Sequence, residues 1–159
     1  MMPVTLTNDR FQLEMTIAGY EFPDVIHDRE DANWLTIQVS LNLVHGAWRW
    51  QVEDAGALTW EVEGCVHWLR QLAAGAAVEQ ETWGFSEPDI ALQAVRNDAG
   101  SVVALNIHLM DEFQPPTKVI IPREANIVTL RFHTPPETLL EMANGLAADL
   151  AMFPQRGTS

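Results

Sequence analysis

Cysteine is almost absent from this chain of 159 residues, because Cys65 is its only one. A single cysteine excludes an intrachain disulfide and any metal site built from several cysteines. Cys65 falls on the apolar stripe of a predicted helix, which favours packing over nucleophilic chemistry. Motifs of the forms GxSxG, GxxxxGK[ST] and GxGxxG are also missing, so the usual signatures of serine hydrolases and of phosphate binding are not present.

Long apolar runs are missing too. No stretch approaches the ~20 apolar residues of a membrane-spanning helix. The first ten residues contain neither the basic region nor the apolar region of a signal peptide. We therefore expect a cytoplasmic protein that does not bind membranes.

Basic residues are scarce: Lys and Arg together number 9 against 22 Asp and Glu, which gives a formal net charge of -13. So few and dispersed bases do not form a surface for nucleic acid. The imbalance is greatest over residues 51–89, where Arg70 is the one base. The acids of that segment are Glu53, Asp54, Glu61, Glu63, Glu79, Glu81, Glu87 and Asp89. Such a field attracts a basic partner, although the same charge also confers solubility alone.

Candidate catalytic and metal-binding residues do not stand out. The histidines are scattered and include no HExxH motif. Acids are so numerous that no carboxylate pair is singled out for acid–base catalysis. We predict no catalytic residue, no metal site and no cofactor, and hence a protein that is not an enzyme. The rival interpretation, a small hydrolase, would place its site on the polar face of a sheet, around Glu14, His108 and Arg131.

Alternating apolar residues predict strands, and apolar residues at helical spacing predict helices. Three strands are expected over residues 11–17, 33–43 and 47–53, followed by a helix over 58–74 with Thr59 as its N-cap. The second half repeats this order with strands over 90–95, 101–110 and 127–132 and a helix over 136–152.

The order βββα–βββα predicts an α+β fold in which residues 1–159 form one domain. Two amphipathic helices need an apolar surface to cover, and an antiparallel sheet with one apolar face provides it. We therefore predict a largely antiparallel six-stranded sheet with both helices packed on one face. An edge strand of such a sheet could pair with the edge strand of a second copy, so a homodimer is an open alternative.

Tryptophan is frequent, with six residues in this length. Core packing explains most of them. One that stays exposed, such as Trp34 or Trp83, would be suited to anchoring a protein partner, because interface hot spots are rich in tryptophan. Aromatic stacking on a sugar is the remaining use, so a carbohydrate-binding or small-ligand module stays an alternative.

Six short stretches follow one another in a recognisable order: residues 19–23 (GYEFP), 33–35 (NWL), 58–61 (LTWE), 85–88 (FSEP), 115–116 (PP) and 153–156 (FPQR). In this order they resemble the WapI family of immunity proteins over nearly the whole chain. The resemblance implies a small bacterial cytoplasmic protein that binds and neutralises a cognate toxin domain. Toxins of such systems are often nucleases, which are basic, and this agrees with the acidic charge found above.

We expect the partner surface to combine an acidic loop, one tryptophan and the start of the first helix. Acids on a loop and near a helix N-terminus stay solvated in the free protein and can then meet Arg or Lys of a toxin. The predicted partner-binding residues are Asp24, Asp28, Glu30, Asp31, Trp34, Glu53, Asp54, Glu61 and Glu63.

Overall fold

The structure is a computed structural model, and it describes residues 4–87, 89–116, 123–124 and 127–157. The first half of the chain forms an antiparallel sheet in the order β1-β2-β3-β4. Its strands are β1 (Val4–Thr7), β2 (Phe11–Tyr20), β3 (Trp34–Leu43) and β4 (Arg49–Leu58). Apolar side chains alternate along β2 and β3 and are buried on one face, as the sequence predicts.

The second half forms another antiparallel sheet, in the order β5-β6-β7-β9-β8. Its strands are β5 (Thr82–Gly84), β6 (Ile90–Arg96), β7 (Val102–Met110), β8 (Arg123–Glu124) and β9 (Ile127–His133). The edge strand β8 contains only two residues. A short 3₁₀ helix, Asp111–Phe113, follows β7 directly.

Two α-helices complete the fold: α1 (Thr59–Ala73) and α2 (Pro136–Met152). Both predicted helices are confirmed, but the N-cap of α1 is Leu58 and not Thr59, because β4 runs into the helix without a loop. Arg70 on α1 donates to Asn144 on α2, while Glu63 lies beside Pro154. The two helices are therefore antiparallel neighbours.

The six-stranded single sheet is the prediction that is wrong, because the strands divide into two sheets. Three short strands were also missed, namely β1, β5 and β8. Alternation indicates which face of a strand is buried, but it does not say which strands pair. β4 leads into α1 and the chain starts a new sheet after that helix, so the two halves never pair through a shared ladder.

One hydrophobic core nevertheless contains side chains of both sheets and both helices. α2 packs on β1 and β2, α1 packs on β4, and the 3₁₀ helix brings the buried Phe113 to β4. Asn8 Nδ2 donates to the backbone carbonyl of Arg131 at 2.9 Å, which joins the first sheet to the second. Other hydrogen bonds bring three segments together at one end of the molecule: the N-terminus of α1, the C-terminus of α2 and the loop after β2.

Candidate functional site

The tail that follows α2, residues 153–157, is bound to the loop that follows β2. The Arg156 guanidinium lies 3.5 Å from the centroid of the Tyr20 ring. The hydroxyl of Tyr20 donates to the carbonyl of Pro154, and its ring meets Phe153 edge to face at 5.6 Å. The GYEFP and FPQR stretches are therefore in direct contact, although more than a hundred residues separate them in the chain.

Asn33 joins this tail to the first helix. Its Oδ1 accepts from the Arg156 backbone N–H at 2.7 Å and from the Thr59 hydroxyl at 3.1 Å. Its Nδ2 donates to the carbonyls of Arg156 at 2.7 Å and Arg29 at 2.6 Å. Because Asn33 is fully buried, all of these bonds replace water that the amide has lost.

Glu61 extends the network to the loop before β6. Its Oε1 accepts from the Leu58 backbone N–H at 2.9 Å, so it caps the start of α1. Its Oε2 accepts from the backbone N–H and the hydroxyl of Ser86, at 2.6 and 2.7 Å. Five of the six sequence stretches therefore meet in one region, where their contacts stabilise the fold. Pro88, which ends the FSEP stretch, lies outside the described residues.

The loop acids predicted to bind a partner are exposed. Asp24, Asp28, Glu30 and Asp31 all lie on the surface between β2 and β3. Asp28 also has a structural role, because its Oδ1 accepts from the backbone N–H groups of Glu30 and Asp31 at 3.0 and 2.8 Å. Its carboxylate is therefore less available to a partner than those of Asp24 and Asp31.

Three further acids, Asp54, Glu21 and Glu87, lie close to the acids of this loop. Partial desolvation raises the pKa of Glu21, whose side chain is nevertheless exposed. The carboxylates of Asp54, Glu87 and Asp31 raise that pKa further. Like charges that influence one another in this way lie near each other. We call the surface formed by Glu21, Asp24, Asp28, Glu30, Asp31, Asp54 and Glu87 the acidic face.

The predicted partner surface did not include Glu21 or Glu87, because both lie inside stretches with a structural pattern. The sequence does carry a signal for both, since each carboxylate lies in a polar segment next to the end of a strand.

No carboxylate of the acidic face forms an ion pair among the described residues. The ion pair found in the described part of the chain joins Arg96 to Glu81 at 2.7 Å and lies outside this face. The two arginines at this face, Arg29 and Arg156, contact the Trp60 ring and loop carbonyls and form no ion pair with its described carboxylates.

The other predicted residues lie apart from the acidic face or are engaged elsewhere. Glu53 follows Val52 and precedes Asp54 on β4, so its side chain points to the opposite side of the sheet from Asp54. Glu63 is exposed on α1 beside the groove between the helices. Glu61 is bound to Ser86, as described above.

Trp34 is half-buried at the start of β3, where it pairs with Leu58. None of the six tryptophans, all of which are among the described residues, is exposed. Trp60 on α1 contacts the loop between β2 and β3, because the Arg29 guanidinium lies 4.9 Å from the centroid of its ring. This contact occupies the only Arg or Lys side chain of that loop.

Asp89, Asp111 and Glu112 form the group of carboxylates in the described ranges that can hold a metal ion. One oxygen from each lies within 4.8 Å of the others, a separation that suits a hard cation such as Ca²⁺. Asp89 is buried, and burial together with Glu112 and Asp111 raises its pKa to about 7. The sequence spacing did not reveal this group, because it forms only when Ile90 pairs with Leu109.

The polar side of the second sheet carries a chain of hydrogen bonds. His108 Nδ1 lies 2.8 Å from the Thr129 hydroxyl, and its Nε2 lies 3.0 Å from Gln93 Oε1. Burial lowers the pKa of His108, which favours the neutral ring, and both ring nitrogens have a hydrogen-bond partner. Glu14 lies in a cavity of about 490 Å³ on the first sheet, so the structure does not bring it together with His108.

Cys65 is fully buried, and this burial raises the pKa of its thiol to about 12. A thiol with that pKa stays protonated in neutral solution and is a poor nucleophile. The prediction that Cys65 belongs to the apolar stripe of α1 is confirmed.

The contacts among the short stretches show that they form one structural unit. The model of the WapI-like immunity protein family matches residues 5–154. The chain therefore belongs to the WapI-like immunity protein family, as the resemblance in the sequence predicted. No curated protein and no solved structure matches the chain. Among the described residues, no helix is long and apolar enough to cross a membrane.

Proposed function

We propose that this protein is a cytoplasmic immunity protein that binds a basic toxin domain through its acidic face and blocks the surface that the toxin needs for its substrate. Family membership supports the class of function. The observation that carries the mode of binding is the acidic face itself, whose carboxylates form no ion pair among the described residues.

Electrostatic complementarity explains how such a surface would work. Uncompensated acids on one face accelerate encounter with a basic protein and orient it before contact. A nuclease presents Lys and Arg to nucleic acid, and the carboxylates of the acidic face would take the place of the phosphates. Inhibition then follows from occupation of the toxin surface, and the protein needs no catalytic residue of its own.

The genetic test comes first because it identifies the partner. We expect the gene to lie directly downstream of a large toxin gene with a variable C-terminal region. Expression of that C-terminal toxin domain alone should stop growth, and co-expression of this protein should restore it. The proposal would be contradicted if the gene lay among genes for metabolic enzymes, or if co-expression failed to restore growth.

The binding test uses charge reversal of exposed acids that make no side-chain hydrogen bond within the described residues. Asp24→Lys with Asp31→Lys changes the loop, and Glu21→Lys with Glu87→Lys changes its neighbours. Each pair should weaken binding of the toxin domain at least about tenfold at low salt and should reduce its salt dependence, because the contacts are between opposite charges. Isothermal titration at two salt concentrations measures both effects.

The matched control is Asp98→Lys with Glu141→Lys, which changes the net charge by the same amount. Both control residues are exposed, Asp98 in the turn between β6 and β7 and Glu141 on α2. We expect a small change in affinity for this variant. If the control weakens binding as much as the two test pairs, total charge and not the acidic face governs the interaction.

A further inference from the structure

We propose that the tail, residues 153–157, holds the acidic loop, residues 22–32, in its binding conformation before a partner arrives, and that Arg156 is the positioning residue. The acidic loop carries Asp24, Asp28, Glu30 and Asp31. The inference rests on the proposed function of the acidic face, but its structural half can be tested without any partner.

The Arg156 side chain closes the acidic loop by binding both of its ends. Nη2 donates to the carbonyl of Phe22 at 3.1 Å and Nη1 donates to that of Pro23 at 2.9 Å, at the beginning of the loop. Nε donates to the carbonyl of Ala32 at 3.0 Å, at its end. A planar guanidinium can serve these separate acceptors at once, whereas a lysine ammonium is a compact point charge on a flexible stem.

The backbone of the tail adds a second set of bonds. Arg156 and Asn33 exchange hydrogen bonds of 2.7 Å in both directions, through the Arg156 backbone N–H and carbonyl. The next residue, Gly157, has a φ of +66°, and an added Cβ there would lie 3.1 Å from the carbonyl oxygen of Asp28. Glycine permits both this backbone conformation and this approach to the loop.

Apart from the tail, the acidic loop is held mainly through Arg29, whose carbonyl accepts from Asn33 Nδ2 at 2.6 Å and whose guanidinium lies over the Trp60 ring. From residue 22 to residue 31 every side chain is exposed except that of Val25, which is half-buried. Apolar burial therefore contributes little to its order. A loop of this kind that was mobile in the free protein would lose conformational entropy on binding, which would weaken the complex.

Loss of Arg156 separates positioning from simple electrostatics by the sign of the effect. Arg156→Ala removes a positive charge from an acidic surface, so electrostatics alone predicts faster association with a basic toxin domain and tighter binding. Loss of positioning predicts faster dissociation. We expect the dissociation rate of Arg156→Ala to rise about tenfold, as expected when a few side chains must be ordered on binding. Arg156→Lys keeps the charge, and its dissociation rate should rise while its association rate stays unchanged.

The first experiment measures amide hydrogen exchange in the free protein. The amides of Val25 and Ala32 donate within the loop, and Glu30 and Asp31 donate to the Asp28 side chain. These amides should exchange faster in Arg156→Ala and in Arg156→Lys, while amides of β7 exchange as in the unchanged protein. Arg131→Ala is the matched control, since it removes one exposed arginine on the second sheet. Unchanged exchange in the loop would overturn the inference.

The second experiment measures binding of the toxin domain encoded upstream by surface plasmon resonance. In a double-mutant cycle, Arg156→Ala should weaken binding in the original background but cost nothing further once Asp24→Lys and Asp31→Lys are present. A purely structural role would give additive losses. If exchange rises but affinity does not change, while Glu21→Lys with Glu87→Lys does weaken binding, the positioning role is wrong and the proposed function stands. If no variant of the acidic face weakens binding, the proposed function fails and the positioning role with it.

Discussion

At the scale of single residues, buried polar groups determine how distant segments of the chain are joined. Asn33 makes four hydrogen bonds while fully buried, and each of them connects it to another segment: the loop, the tail or α1. An aspartate or an alanine at this position cannot reproduce two donors and an acceptor. The side chain therefore specifies a contact that apolar packing alone would leave undefined.

Asn33→Ala should lower the free energy of unfolding by about 3 kcal/mol, because it leaves several buried donors and acceptors without partners. Urea denaturation followed by circular dichroism measures the change. Asn42→Ala is the control: Asn42 is half-buried on the polar face of β3, the strand that follows Asn33, and its loss should change stability by no more than about 0.5 kcal/mol. Equal losses in the two variants would show that the Asn33 bonds contribute no more than an ordinary surface amide.

The carboxyl group of Asp89 makes stability depend on pH. Its pKa is about 7 in the folded protein, against about 4 when unfolded, so the folded state binds the proton more tightly. The contribution to stability is therefore complete below about pH 4 and is lost as the pH rises through 7. Urea melts at several pH values, with chelator present, should show this decline in the original protein and less of it in Asp89→Asn. Parallel pH profiles for the two proteins would show that Asp89 does not retain its proton.

At the scale of elements, one close contact sets the distance between α1 and β5. Gly64 on α1 faces the Trp83 ring, and a Cβ at Gly64 would lie 2.6 Å from Trp83 Cη2. The ring is itself packed against Trp68, with centroids 6.3 Å apart. Glycine is therefore required here by the approach of the strand, although it is unfavourable inside a helix.

Gly64→Ala should destabilise the protein by about 1–3 kcal/mol, since the Trp83 ring must move and the neighbouring packing with it. The same change in a Trp83→Leu background should instead stabilise the protein by up to about 1 kcal/mol, because the helix propensity of alanine is then realised. Thermal melts of the four proteins give this reversal of sign. A stabilising effect in both backgrounds would mean that the contact with Trp83 is not close.

Regular elements with long periodic patterns could be predicted from the sequence, and their assembly could not. β2, β3 and both helices show clear apolar periodicity, so their faces followed directly. β1 and β5 are too short to give a pattern, and β8 has two residues. The division into two sheets depends on which strands pair, and this is decided by long-range contacts such as that of Phe113 with β4.

The candidate site was predictable in the same uneven way. Exposed acids of a polar loop are visible in the sequence, and the structure places Asp24 and Asp31 on the surface as expected. The hydrogen bonds that occupy Asp28 and Glu61 depend on turn and cap geometry, which charge alone does not reveal. The approach of Glu21 and Glu87 to Asp54 needs the folded chain, since they belong to three separate segments.

At the scale of the whole molecule, the formal charge of -13 makes folding work against repulsion. The repulsion is concentrated on the acidic face, where like charges lie together without an ion pair among the described residues. Dissolved salt screens interactions between exposed charges over about 10 Å at 0.1 M, so salt should relieve this repulsion in the folded state. A large part of the salt response of the protein should therefore arise from one surface.

We expect the melting temperature to rise by roughly 2–4 °C between low salt and about 0.3 M sodium chloride, which corresponds to roughly 1 kcal/mol for a protein of this size. Glu21→Lys with Glu87→Lys should remove most of this increase, because it replaces repulsion on the acidic face by attraction to Asp54 and Asp31. Asp98→Lys with Glu141→Lys changes the net charge equally but lies elsewhere, so it should retain most of the increase. Scanning calorimetry of the three proteins measures the effect. Identical salt responses in the two variants would show that net charge, and not the arrangement of acids on this face, determines how salt stabilises the protein.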